Sequence, residues 1–174
     1  RSVNLKLNPI KDEGIFYVPI DHSGCSQRSD EEADLVEKTF NKIINKDFKN
    51  GKSTGKISAK DIMVVAPYNA QANNIRERLK KKYDDVRVGT IDLFQGQEAK
   101  VVLISMTTSD VDSLPRHKDF FFSRNRLNVA ISRAQCVAII IFNEKLLLAS
   151  TNSIEEMKLM NNFCKLLKFK TNYN

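Results

Sequence analysis

Three apolar runs constrain this chain more than anything else in it: Ile62-Met63-Val64-Val65-Ala66, Val101-Val102-Leu103-Ile104-Ser105-Met106 and Val137 to Phe142. A strand with one wet face alternates apolar and polar residues. Runs without that alternation read as strands covered on both faces, the habit of parallel sheets. Shorter strands are expected at Ile15 to Ile20, ended by Pro19, and at Val86 to Ile91. Helical periodicity lies between them. Ser29 or Asp30 can cap a helix that runs to about Asn45 and buries Ala33, Val36, Phe40, Ile43 and Ile44. A second helix, from about Asn69 to Lys82, turns Ile75 and Leu79 inward, and a third covers 124 to 134.

Strands alternating with amphipathic helices predict an α/β fold, a mostly parallel sheet with helices on both faces. Ligands in such folds sit at the carboxyl ends of the strands. The 174 residues are enough for one domain with a real core. That core is expected over about 15–148, followed by an amphipathic helix over about 153–167 that uses Ile154, Met157, Met160, Phe163 and Leu167. Lys46 to Lys60 reads as a loop, and 107 to 123 as a long connection with Pro115 and Phe120-Phe121-Phe122.

Bulk properties exclude more than they assign. No apolar run approaches the length that spans a bilayer, so no membrane partner is expected. The net charge of +7 permits a polyanionic partner without requiring one. Three scattered cysteines, Cys25, Cys136 and Cys164, indicate neither a disulfide framework nor a zinc site, and Cys136 reads as a core thiol. His22 and His117 stand alone in polar stretches, and no metal ligand is assigned. The sequence starts at Arg1 without a Met or a signal peptide, as expected of a fragment from a longer protein.

Three segments carry chemistry. In Arg126-Leu127-Asn128-Val129-Ala130-Ile131-Ser132-Arg133-Ala134 two arginines stand seven residues apart, nearly two helical turns, so both should project the same way. Leu127, Ala130, Ile131 and Ala134 form an apolar stripe beside them, and Asn128 should make local polar contacts. A fork of guanidinium donors there suits a phosphate. The other two segments are Val65-Ala66-Pro67-Tyr68-Asn69-Ala70-Gln71 and Val88-Gly89-Thr90-Ile91-Asp92-Leu93-Phe94-Gln95-Gly96-Gln97-Glu98.

In this order the three segments resemble motifs VI, IV and V of superfamily 1 helicases. The likeness is to the branch that includes the helicase of nonsense-mediated mRNA decay and the helicase-nucleases of DNA processing, and it covers roughly residues 15 to 148. It implies the second RecA-like motor domain of a larger helicase, a P-loop NTPase fold without its own P-loop. Partners implied are single-stranded DNA or RNA and the N-terminal RecA-like domain of the same parent chain. ATP with Mg²⁺ would be bound mainly by that first domain, and the setting would be intracellular and cytoplasmic. The fragment alone should then be inactive.

The resemblance also implies residue roles. Arg133 aligns with the arginine finger on the γ-phosphate, while Arg126 either supports the site or pairs with an acid. Glu98 matches an acid that contacts the nucleotide ribose. Gly96 lets the backbone turn sharply or approach a ligand, with Gln97 on the same loop. Tyr68 stacks on a ligand or packs beneath the loop, and Gln71 touches a ligand or caps the following helix. Thr90, Asp92 and Gln95 fall on the nucleic-acid side. The lysines at 46, 49, 52, 56 and 60, and at 80, 81 and 82, are further possible phosphate contacts. The alternative reading is a non-catalytic nucleic-acid-binding or adaptor module that keeps the fold.

Gly51-Lys52-Ser53-Thr54 imitates the end of a phosphate loop, but Lys46 stands where the pattern needs another glycine, and no apolar strand precedes it. Asp84-Asp85 precedes a strand instead of ending one, so it makes no Walker B pair.

Overall fold

The computed structural model describes residues 14–50, 53–109 and 124–148. In chain order the elements are β1 (Gly14–Pro19), α1 (Asp30–Ile43), β2 (Asp47–Asn50), β3 (Ser53–Lys56), β4 (Ile62–Val65), α2 (Asn69–Leu79), β5 (Arg87–Gly89), β6 (Ala99–Ser105), α3 (Arg124–Ser132) and β7 (Ala134–Phe142). Short 3-10 turns cover Ala59–Asp61, Ile91–Phe94 and Glu144–Leu148.

The apolar runs became central strands for the reason their sequences state. Every residue of β4 is buried, and β4, β6 and β7 lie inside a five-stranded sheet of order β1-β7-β6-β4-β5. All of its pairings are parallel, with Ile62 opposite Val101, Leu103 opposite Ile139, and Phe16 also opposite Ile139. Pro19 ends the edge strand β1, where a missing N–H costs no ladder bond.

Each face has its own core. Ala33, Val36, Phe40 and Ile43 of α1, with Ala72, Ile75 and Leu79 of α2, pack on Val18, Ile62, Val64, Val101, Leu103, Ile139 and Ile141. Opposite, α3 sets Ala130 against Met63, Val65, Val102, Ile104, Ile140 and Phe142. Leu127, Ile131 and Ala134 are only partly buried on that side. The expected sheet with helices on both faces is what the chain builds.

Several boundaries differ from expectation. The first helix begins under its Ser29 cap, whose hydroxyl accepts from the Glu32 N–H. It stops at Ile43 because Asn45 takes a left-handed conformation (φ 63°) and the chain reverses into β2; Ile44 is half-buried. The stretch 46–60, expected as a loop, contains the antiparallel hairpin β2–β3. Phe48 faces Gly55 across it, and the Lys100 ammonium sits 4.0 Å from the Phe48 ring centre. Ser53 and Thr54 thus start a strand and not a phosphate-binding helix. The second helix ends at Leu79, β5 is only three residues long, β6 starts at Ala99, and Ala134 already belongs to β7. The helix expected at 153–167, the connection 110–123 with His117, and Cys164 lie outside the described residues.

Candidate functional site

The expected site residues divide between the two ends of the sheet. At the carboxyl ends, the turns after β4 and β5 and the first turn of α3 enclose a groove of about 400 Å³. Tyr68, Thr90, Asp92 and Arg126 line it, together with Gln27, Pro67, Asn69, Ala70 and Ile91. Arg126 lies 3.8 Å from the Asp92 carboxylate, and both are exposed, so the pair is weak and easily exchanged. Tyr68 is buried at the start of α2. Burial pushes its phenol up, and a bond to the Thr108 side chain partly opposes that. Thr90 precedes the 3-10 turn without spending its hydroxyl on a cap.

At the amino ends lies a second cluster. The 3-10 turn carries the chain down the sheet from Thr90 to Gln95, and Gly96 (φ 75°) reverses it into β6. Glu98 immediately precedes β6, and Gln135 near the start of β7 donates to its carboxylate at 3.1 Å. Arg133 joins α3 to β7, and its carbonyl accepts from the Ala99 N–H at 3.0 Å. Its Nε is buried and, among the described residues, has no hydrogen-bond partner. Among the described residues no carboxylate lies within ion-pair distance of its guanidinium. Arg87 braces the loop, donating to Gln97 Oε1 at 3.0 Å, to the Glu98 carbonyl at 3.0 Å and to the Lys60 carbonyl at 3.2 Å. Gln95, Gln97 and Glu98 are exposed.

This corrects two expectations. The candidate residues do not gather at the carboxyl ends: the run of β6, seven residues at about 3.3 Å each, separates two clusters. Nor do Arg126 and Arg133, expected to project the same way, stand at the same end of α3. Arg126 sits on the first turn of α3, whereas Arg133 follows its last residue. The helical repeat aligns residues around the axis but not along it. Asn128 is exposed on the helix between them.

Gln71 joins neither cluster. It is fully buried inside α2, where Oε1 accepts from Ser29 N at 2.9 Å and Nε2 donates to Ser29 O and Ser105 Oγ. Its amide is saturated by this bridge, which ties α1, α2 and β6 together.

A neighbouring network was invisible in the sequence. His22, expected as an isolated loop histidine, is buried, with Nε2 3.0 Å from Glu32 Oε1. Glu32 Oε2 accepts from Ser105 Oγ at 2.6 Å and from Thr107 N at 2.8 Å. Its partners are far away in sequence, and no local pattern announces them. Arg87, Gln135 and Gln27 were missed for the same reason.

Lysines 46, 56, 60, 80, 81 and 82 are exposed, and Lys82 pairs with Glu37. Cys136 is half-buried against the α1–α2 core. Among the described residues no helix is long and apolar enough to cross a membrane.

Comparison with known proteins matches residues 19–145 to the AAA domain family AAA_12. The DNA polymerase alpha-associated DNA helicase A of Schizosaccharomyces pombe is 45% identical over 78 residues, 44% of this chain and 11% of that protein. The RNA helicase Mov10l1 of Mus musculus is 37% identical over 98 residues, 54% of this chain and 8% of that one. An uncharacterized ATP-dependent helicase of Caenorhabditis elegans is 35% identical over 118 residues, 68% of this chain and 7% of its own length. The chain spans roughly a tenth of such relatives.

Proposed function

The chain belongs to the AAA_12 family of AAA domains and is a superfamily 1 helicase domain with a RecA-like fold; from that premise we propose that it is the second motor domain of an ATP-dependent helicase or translocase on single-stranded nucleic acid. ATP supplies the phosphoryl group whose transfer to water drives such motors. On this reading the amino-end cluster faces the first motor domain and completes the nucleotide site. Arg133 provides the finger on the γ-phosphate, and Glu98 accepts from the ribose hydroxyls, with Gln97 and Gly96 shaping the loop between them. Mg²⁺ stays with the first domain.

One observation carries the reading. Arg133 is half-buried with an unpartnered Nε and no acid beside its guanidinium among the described residues. A surface arginine is ordinarily solvated and a structural one paired; this one keeps donors that the described residues do not engage. Developing charge on a transferred phosphoryl group is such an acceptor. The carboxyl-end groove, with Thr90, Asp92 and Arg126, would follow the nucleic-acid backbone; Gln95, expected on the same side, stands beside Gly96 at the amino end and falls outside that groove.

The test is hydrolysis by the full-length helicase with single-stranded DNA or RNA, wild type against Arg133→Ala. A finger arginine contributes about 10³ to 10⁵ in rate. The variant should lose stimulated hydrolysis on that scale while retaining ATP binding. Stimulated hydrolysis unchanged by the substitution would sink the role of Arg133 and leave the motor standing. Absence of stimulated hydrolysis in the wild type would favour the adaptor reading.

A further inference from the structure

The loop between β1 and α1 holds a group of side chains that neither cluster uses. The His22 ring, the Cys25 thiol and the Glu31 carboxylate each offer one ligand atom, and these atoms all lie within 4.8 Å of one another. Cys25 Sγ and Glu31 Oε2 are already 3.9 Å apart. Zinc–ligand bonds of about 2.0 to 2.3 Å at tetrahedral angles separate ligand atoms by roughly 3.6 Å, so a small closing of side chains suffices.

The histidine carries the argument. Its side chain is fully buried, and Nε2 is engaged by Glu32. That carboxylate already accepts from Ser105 and Thr107, so the proton of the histidine–glutamate bond belongs to Nε2. A neutral ring holding that bond carries its lone pair on Nδ1, which is buried and, among the described residues, has no partner. An imidazole that gives one N–H to a carboxylate and keeps the other nitrogen bare has the arrangement found behind metal-ligating histidines. We propose that His22 Nδ1, Cys25 Sγ and a Glu31 carboxylate oxygen form a site for one Zn²⁺ ion, with water as the fourth ligand.

The surroundings hold the ligands in place. Asn143 Nδ2 donates to the His22 carbonyl at 2.7 Å. Cys25 is tied to Ser109 in both directions, its N–H to Oγ at 3.1 Å and its carbonyl to the Ser109 N–H at 2.9 Å. Gly24 (φ 69°) makes the tight turn that brings Cys25 back toward His22. Glu31 is held below its ordinary value, first by its own backbone N–H and also by the Ser29 hydroxyl, with burial opposing them. A helix amino end alone disfavours a cation, but Asp30, Glu31 and Glu32 occupy this first turn and reverse the local field. Burial pushes the Cys25 thiol up; it would give its proton to solvent as the Zn–S bond forms. Thiolate with imidazole selects Zn²⁺ over Mg²⁺ or Ca²⁺. Gln27, two residues beyond Cys25, lines the carboxyl-end groove, so a bound ion would stiffen one of its walls.

The experiment is titration of the chelator-stripped protein with Zn²⁺ against a chromophoric chelator, and with Co²⁺ as a spectroscopic probe. One equivalent should bind, and Co²⁺ should give a thiolate charge-transfer band with the intense visible bands of tetrahedral coordination. Cys25→Ser should abolish the charge-transfer band and weaken Zn²⁺ binding by a factor of about 10 to 100 or more, the scale of disturbed metal shells. Glu31→Gln, a surface change, should weaken binding without removing that band, and Cys136→Ser should alter neither. Circular dichroism establishes that each variant is folded. No stoichiometric binding, or binding that Cys25→Ser leaves unchanged, would overturn the proposal.

Discussion

Replacing Glu32 by alanine tests whether the buried network holds the domain together. The change strands three donors: Ser105 Oγ–H, Thr107 N–H and His22 Nε2–H. Each buried group left without an acceptor costs about 1–3 kcal/mol. Some of this is recovered, because a serine hydroxyl can rotate and water can enter the space the carboxylate leaves. Summed over the three donors and reduced by that recovery, the loss should be about 3–5 kcal/mol. For a chain of this size about 1 kcal/mol moves the melting point by roughly 2–4 °C, so Glu32→Ala should melt about 6–20 °C lower. Glu32→Gln is the informative partner. Its amide oxygen can still accept from Ser105 and Thr107, and its NH₂ can face a histidine that presents a lone pair at Nε2. We expect it to lose only about 1–2 kcal/mol, near one ordinary hydrogen bond. Urea denaturation followed by circular dichroism measures both. Equal losses for the two variants, or a loss below about 1 kcal/mol for alanine, would refute the reasoning.

The remaining predictions concern the two ends of the sheet and its acid stability. Arg126→Ala in the full-length helicase should weaken single-strand binding and reduce its salt slope by about one, while hydrolysis at saturating polymer survives; collapse of that saturated rate would place Arg126 with Arg133 instead. Gly96→Ala forces a side chain into positive φ with open space around it, so thermal melting should register only the backbone cost, about 1 kcal/mol. At Asp61, burial raises the pKa, but the Ser58 hydroxyl and N–H and the Lys100 ammonium outweigh it and hold the carboxyl below its usual range. Its stabilising contribution is therefore complete above the unfolded value of about 4 and is lost as pH falls through the lower folded value. An acid titration of Asp61→Asn should show a shallower loss of stability than the wild type, and an identical acid profile would contradict this.

What the sequence disclosed is what local patterns encode. Runs such as Ile62–Val65 announce burial on two faces, and Ser29 ahead of Asp30, Glu31 and Glu32 announces a helix start, so sheet and helices were legible. The hairpin over Asp47–Lys56 was not, because its only aromatic, Phe48, is paid no alternation by its neighbours and packs instead with Gly55 and the distant Lys100. Candidate residues could be named, since Arg133 and Glu98 lie in motif-like segments. Their grouping could not, because it depends on which end of a strand each residue meets. Arg126 and Arg133 look like a pair only until α3 is given a length.

The sheet that separates the two clusters also fixes how they can communicate. Five parallel strands packed on both faces form a stiff beam, since a close-packed interior yields little to compression or bending. The Ala99–Arg133 bond fastens the amino-end cluster to this beam through two central strands, and the groove opens off its other end. Such an element relays displacement as a lever does: tilt one end and the other swings with it. Coordination between the clusters then needs no chain of internal rearrangements. The compliance belongs at the fulcrum, outside the packed sheet, and substitutions that soften the beam should uncouple the ends while leaving each one intact.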